Sequence, residues 1–81
     1  MLLNWRWQLG KLGTFSGKEI CQILSRYNFL EVRRRGSHIV MQKKTSEGTT
    51  TVPVPNHKEI KIGTLRSIIR QSGLPKSEFV V

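Results

Sequence analysis

The sequence contains no aspartate and a single cysteine, Cys21; its five acidic residues are all glutamates. One thiol cannot close an intrachain disulfide or build a multi-cysteine zinc site, so a secreted disulfide scaffold and a zinc module are both excluded, and a reducing cytoplasm is the expected setting. Without aspartate, paired-carboxylate hydrolysis and acidic metal clusters find little support, and no metal is expected. No run approaches the ~18 consecutive apolar residues of a membrane span, and the N-terminus lacks the continuous apolar segment of a secretory signal. Internal repeats and low-complexity stretches are also missing. At 81 residues the chain can bury roughly 60–65% of its unfolded surface, enough for one modest core. A multi-domain enzyme with a large cofactor does not fit; no cofactor is expected.

Positive charge, by contrast, is abundant. Fourteen Lys and Arg against five Glu give 14 − 5 = +9, with an isoelectric point near 10.7. On so small a body this attracts polyanions from a distance. Nucleic acid, an anionic membrane or an acidic protein would each respond to it.

Residues 1–14 show no sustained period of either strand or helix, and Gly10 and Gly13 interrupt any amphipathic helix around Trp5 and Trp7, so an irregular arm is expected there. Residues 15–81 read as one domain. Ser16-Gly-Lys-Glu19 is a capping box that opens a helix with Ile20, Ile23, Leu24 and Tyr27 on one face, ending near Asn28. Cys21 within it reads as a small packed thiol. Residues 29–35 read as a strand with Leu30 and Val32 on one face and Glu31, Arg33 and Arg35 on the other. Gly36 permits a tight turn into a second strand, His38 to Lys43, which directs Ile39 and Met41 inward and His38, Val40 and Gln42 outward. A polar loop at 43–48 leads to a third strand, Thr49–Val54, whose Pro53 and neighbouring Pro55 either place it at a sheet edge or end it there. A second helix begins near Ile62–Thr64, buries Leu65, Ile68, Ile69 and Ser72, and stops at Gly73-Leu74-Pro75. The short tail is not expected to form another helix. The fold class is therefore α+β, in the order α-β-β-β-α, with a three-stranded antiparallel sheet and two helices on one face, as in double-stranded RNA-binding domains.

Only His38 and His57 belong to the residue type that titrates near neutral pH. A histidine base, with cations to stabilise the charge on a phosphorane, is sufficient to cleave RNA through attack of its own 2′-hydroxyl without a metal. Arg33, Arg34, Arg35, Gly36, Ser37 and His38 are contiguous, and a turn at Gly36 would bring Arg35 and His38 together on the open side of the sheet. His57 could act as a second acid or base, or serve as a helix-entry contact. Arg66 and Arg70, four apart on the second helix, form either a solvated face or a phosphate contact. Lys43 and Lys44 add rim charge.

Phe15-Ser-Gly-Lys-Glu-Ile, Arg35-Gly-Ser-His38, Val52-Pro53, Asn56-His-Lys-Glu59 and Gly63-Thr-Leu-Arg-Ser-Ile-Ile-Arg-Gln-Ser-Gly-Leu74 occur in an order and spacing that resembles the HicA toxins of toxin–antitoxin systems, over residues 11–79. The arm from Met1 to Gly10 precedes the usual start of that pattern. The resemblance implies a double-stranded RNA-binding-domain-like fold, ribonuclease activity on mRNA, and inhibition by a HicB-like antitoxin that covers the active face. It also implies that His38, in Gly36-Ser37-His38, is the catalytic histidine. The expectation is a metal-independent endoribonuclease toxin in which Arg33, Arg35, Ser37, Lys43, Lys44, His57, Arg66 and Arg70 contact RNA. A non-catalytic RNA-binding module is the alternative, and a DNA-binding regulator is disfavoured because the basic helix is expected to pack on the sheet.

Overall fold

The computed structural model describes residues 12–80. The expected arm falls mostly on residues 1–11 and to that extent lies outside the described residues. The elements run α1 (Gly17–Ser25), β1 (Leu30–Arg35), β2 (His38–Thr45), β3 (Gly48–Pro55), α2 (Ile62–Ser72) and a short 3-10 helix (Lys76–Phe79). The sheet is antiparallel in the order β1-β2-β3. This is the expected α-β-β-β-α architecture.

The capping box at the start of α1 is formed on both sides: the Glu19 amide donates to Ser16 Oγ at 3.1 Å, and the Ser16 amide donates to Glu19 Oε1 at 2.8 Å. Helical residues end at Ser25. The exit follows the Schellman pattern, with the Phe29 amide donating to the Leu24 carbonyl and the Asn28 amide to that of Ser25, while Asn28 takes the left-handed φ of 71° that the motif demands. This reversal drops Phe29 into the core, where it is fully buried. At the end of α2, Gly73 adopts the same left-handed conformation (φ 73°). Buried Ser72 stays satisfied there: its hydroxyl donates to the Ile69 carbonyl at 2.9 Å and accepts from the Leu74 amide at 3.2 Å.

One core joins the helices to a single face of the sheet. Ile20, Ile23 and Leu24 of α1 and Leu65 and Ile68 of α2 pack with Ile39 and Met41 of β2 and Val52 and Val54 of β3, closed by Phe29, Ile60 and Phe79. The alternation predicted for β2 and β3 is therefore realised, and β3 with its prolines is an edge strand.

Two expectations are corrected. In β1, Leu30 and Val32 were expected opposite Glu31, Arg33 and Arg35, but the register shifts between Glu31 and Arg33. The bulge breaks the period of two, so Glu31 lies across from inward Met41 whereas Arg33 and Arg35 lie across from Val40 and His38. Leu30 and Val32 are left exposed, at 69% and 45%. The tail, not expected to form another helix, forms the short 3-10 helix and buries Phe79 completely. It is held from the other end of the described chain: Leu12 bridges Val80, the Gly13 amide donates to the Phe79 carbonyl at 2.7 Å, and the Phe15 and Phe79 rings meet edge to face at 6.3 Å.

Candidate functional site

Both helices cover the inner face, so that among the described residues the outer face of the sheet is left open, and the strand register arranges its side chains in cross-strand rows. Arg35, His38 and Pro55 form the first row, Arg33, Val40 and Pro53 the second, Leu30, Gln42 and Thr51 the third, and Lys44 stands beside Thr49 further along. Directly opposed residues place their Cβ atoms about 4.5–5.5 Å apart, so Arg35 and His38 can address one bound group. Both are exposed. Val40 is the exception on this face, with 6% of its surface accessible.

The turn that creates the first row contains two residues. Gly36 supplies the positive φ, 58°, that a hairpin of this length requires at its first central position, and nothing approaches within 4 Å of where its Cβ would stand. Ser37 follows, and its carbonyl accepts the Asn56 amide at 2.6 Å. This bond ties the turn to the segment leaving β3. His57 lies in that segment, exposed, with its carbonyl accepting the Gly17 amide at 2.9 Å. The catalytic-histidine candidate and the second histidine thus belong to the same end of the molecule.

The remaining candidates are distributed over other surfaces. Lys43 pairs with Thr50 on the helix side of the sheet, and its ammonium lies 5.8 Å from the centroid of the Phe29 ring, a cation–π contact. Arg66 and Arg70 are exposed on α2, the latter donating to Ser67 Oγ at 3.4 Å. They belong to the helical layer, whereas Arg33, Arg35, His38 and Lys44 belong to the open sheet face. Gln42 and Thr51 also stand on that face, joined by an amide-to-hydroxyl bond of 3.2 Å. The alternation that turns His38 outward also turns Gln42 outward, so Gln42 joins the candidates on this face although the expected RNA contacts did not include it.

Cys21 is half-buried, and burial is the main reason its thiol pKa is raised, with Glu31 adding to the shift and Arg34 opposing it. A thiol held in its protonated form is a poor nucleophile, which fits a packing role. Among the described residues, no three His, Cys or Glu side chains come together as a metal-binding group. None of the described helices is long and apolar enough to cross a membrane.

Comparison with known families gives one assignment consistent with this geometry. Residues 17–74 match the family described as the HicA toxin of bacterial toxin–antitoxin systems. Comparison with curated proteins gives no match to this chain.

Proposed function

Because the match covers well over half of its length, the chain belongs to the HicA toxin family, and from this premise we propose that it is an endoribonuclease that cleaves mRNA without a metal ion, using His38. The reading is carried by the Arg35–His38 pair, set across a two-residue turn on the uncovered face of the sheet. In its neutral form His38 takes the proton of a ribose 2′-hydroxyl while that oxygen attacks the adjacent phosphorus. The bond from phosphorus to the 5′-oxygen breaks, and the leaving oxygen acquires a proton from water or from a second acid, for which His57 is the candidate. Arg35, with Arg33 in the next row, offsets the charge that builds on the phosphorane. The products are a 2′,3′-cyclic phosphate and a 5′-hydroxyl end.

Ser37 and Lys44 hold RNA around this centre. Lys43, Arg66 and Arg70, on the other surfaces, contribute through phosphate contacts at the periphery and through long-range attraction. A HicB-like antitoxin inhibits by covering the open sheet face, so antitoxin and RNA compete for it. Cleavage in the cytoplasm then follows whenever the antitoxin is lost.

The test is incubation of the purified protein with RNA in EDTA, followed by analysis of the fragment ends. Cutting by the parent protein and none by a folded His38→Ala variant is the expected result, with cleavage reduced by at least about 10²-fold. Cleavage by the variant at the parental rate would overturn the role of His38. RNA that is retarded but never cut would make the protein a binding module.

A further inference from the structure

The segment between β3 and α2 forms a second basic feature beside the first row of the sheet. A cleft of about 280 Å³ opens between this segment and the start of α1, lined by Ser16, Lys18, Asn56, His57 and Lys58. Two lysines and a histidine line it, and among the described residues no carboxylate does. Glu19, next to Lys18, is already engaged with the Ser16 amide at 2.8 Å. On its other side His57 borders a separate cleft with Glu59 and Lys61, where one negative and one positive charge offset each other. The uncompensated charge is therefore concentrated between Lys18 and Lys58.

The cleft is held in a fixed relation to the open sheet face. The Asn56 amide donates to Ser37 in the β1–β2 turn, the Gly17 amide donates to His57, and the Ile60 amide donates to Phe15 at 2.8 Å. Gly17 explains how α1 comes so close: a Cβ at this position would stand 2.1 Å from the Pro55 carbonyl oxygen, so only glycine allows the helix to abut the segment. The Ser16, Gly17 and Glu19 amides are used in these bonds and in the capping box, and the lysine side chains supply the cations available to an anion. Pro55 is the cross-strand partner of His38. With about 5 Å between such Cα atoms and about 3.5 Å per residue along the chain, the Cα atoms of His57 and His38 lie within about 12 Å of each other. A short length of single strand can reach both places.

We propose that Lys18 and Lys58 form a second phosphate-binding subsite, which holds the RNA backbone at a nucleotide flanking the one cleaved at His38. The proposal rests on the endoribonuclease reading given above. Lysine provides a compact, mobile cation suited to a backbone phosphate, and contact with phosphate positions the strand without selecting its sequence. The subsite thus sets which stretch of backbone is presented to His38, while leaving base choice to the open face.

The experiment uses the full chain carrying His38→Ala, so that RNA is bound but not cut, and follows fluorescence anisotropy of a short single-stranded RNA across a salt series. Lys18→Ala and Lys58→Ala are each added to this protein, with Lys76→Ala, on the 3-10 helix, as the charge-matched control. All three lysines are exposed, and circular dichroism verifies that each variant is folded. Each cleft variant is expected to weaken binding several-fold and to reduce the slope of log affinity against log salt by about 0.7 for each phosphate that is no longer neutralised. The control changes neither quantity. If the parent binds RNA and the two cleft variants behave as the control does, the subsite is overturned while the endoribonuclease reading stands. If the parent binds no RNA at all, that reading fails and the subsite fails with it.

Discussion

The two faces of the sheet are built from the same strands and differ in nearly every physical respect. On the inner face Ile39, Met41, Val52 and Val54 are each 2% exposed or less. On the outer face Arg33, Arg35, His38, Lys44, Thr49, Thr51 and Pro53 are all exposed. Strand alternation makes this division possible: one face carries the hydrophobic stabilisation, and the other is free to hold cations that would be costly to bury. Substitutions on the two faces should accordingly separate stability from chemistry.

That separation is tested most severely by removing one side chain from each region. His38→Ala should abolish cleavage with little change in the unfolding midpoint, since the imidazole lies outside the core. Phe79→Ala should do the opposite, costing about 3–5 kcal/mol of stability in urea unfolding, with cleavage lost only in proportion to the unfolded fraction. A His38→Ala protein that unfolds as readily as Phe79→Ala would break the distinction. Arg35→Ala refines it within the open face. Charge on the phosphorane exceeds that on the ground-state phosphate, so turnover should fall about 10-fold or more while RNA affinity changes less. An unchanged kcat with only a raised KM would make Arg35 a binding residue.

How much of this was legible in the sequence depended on whether the signal was local. The capping box at Ser16 and Glu19, the glycine turn at Gly36 and the alternation through His38–Met41 and Thr50–Val54 are all written in neighbouring residues, and each is realised in the structure. The same alternation separates Lys43 from Lys44, which a reading of both as rim charge overlooked. The β1 bulge was not legible, because Val32 suits either face and only pairing with β2 reveals the shift. Burial of Phe79 was also hidden: its partners, Gly13 and Phe15, lie more than 60 residues away in the chain.

A smaller effect is expected on the inner side at Ser16, whose hydroxyl accepts the Glu19 amide. Ser16→Ala should cost about 1 kcal/mol, the usual contribution of an N-cap, as measured by thermal or urea unfolding. Loss of RNA binding well beyond the fraction unfolded would indicate that the end of α1 has a direct part in holding RNA, through the cleft it lines.

The smallest effect is expected at Glu31 and Arg34, where the bulge has an electrostatic consequence. By placing the two residues on the same side of β1, it lets the Arg34 guanidinium donate to Glu31 through Nε at 2.8 Å and Nη2 at 3.4 Å. This hydrogen bond, more than Coulomb attraction, holds the Glu31 carboxyl below its ordinary pKa, against a weaker opposing effect of desolvation. A lowered carboxylate pKa stabilises the fold above the unfolded-state value and loses that contribution as pH falls through the folded one. Both side chains are about half exposed, so solvent and salt screen the pair heavily. Glu31→Gln should therefore leave the unfolding midpoint at pH 7 close to that of the parent, and the small difference should vanish in acid and in high salt. A large loss of stability that persisted at low pH would show that Glu31 supports the bulge through its packing, and that its charge has little to do with it.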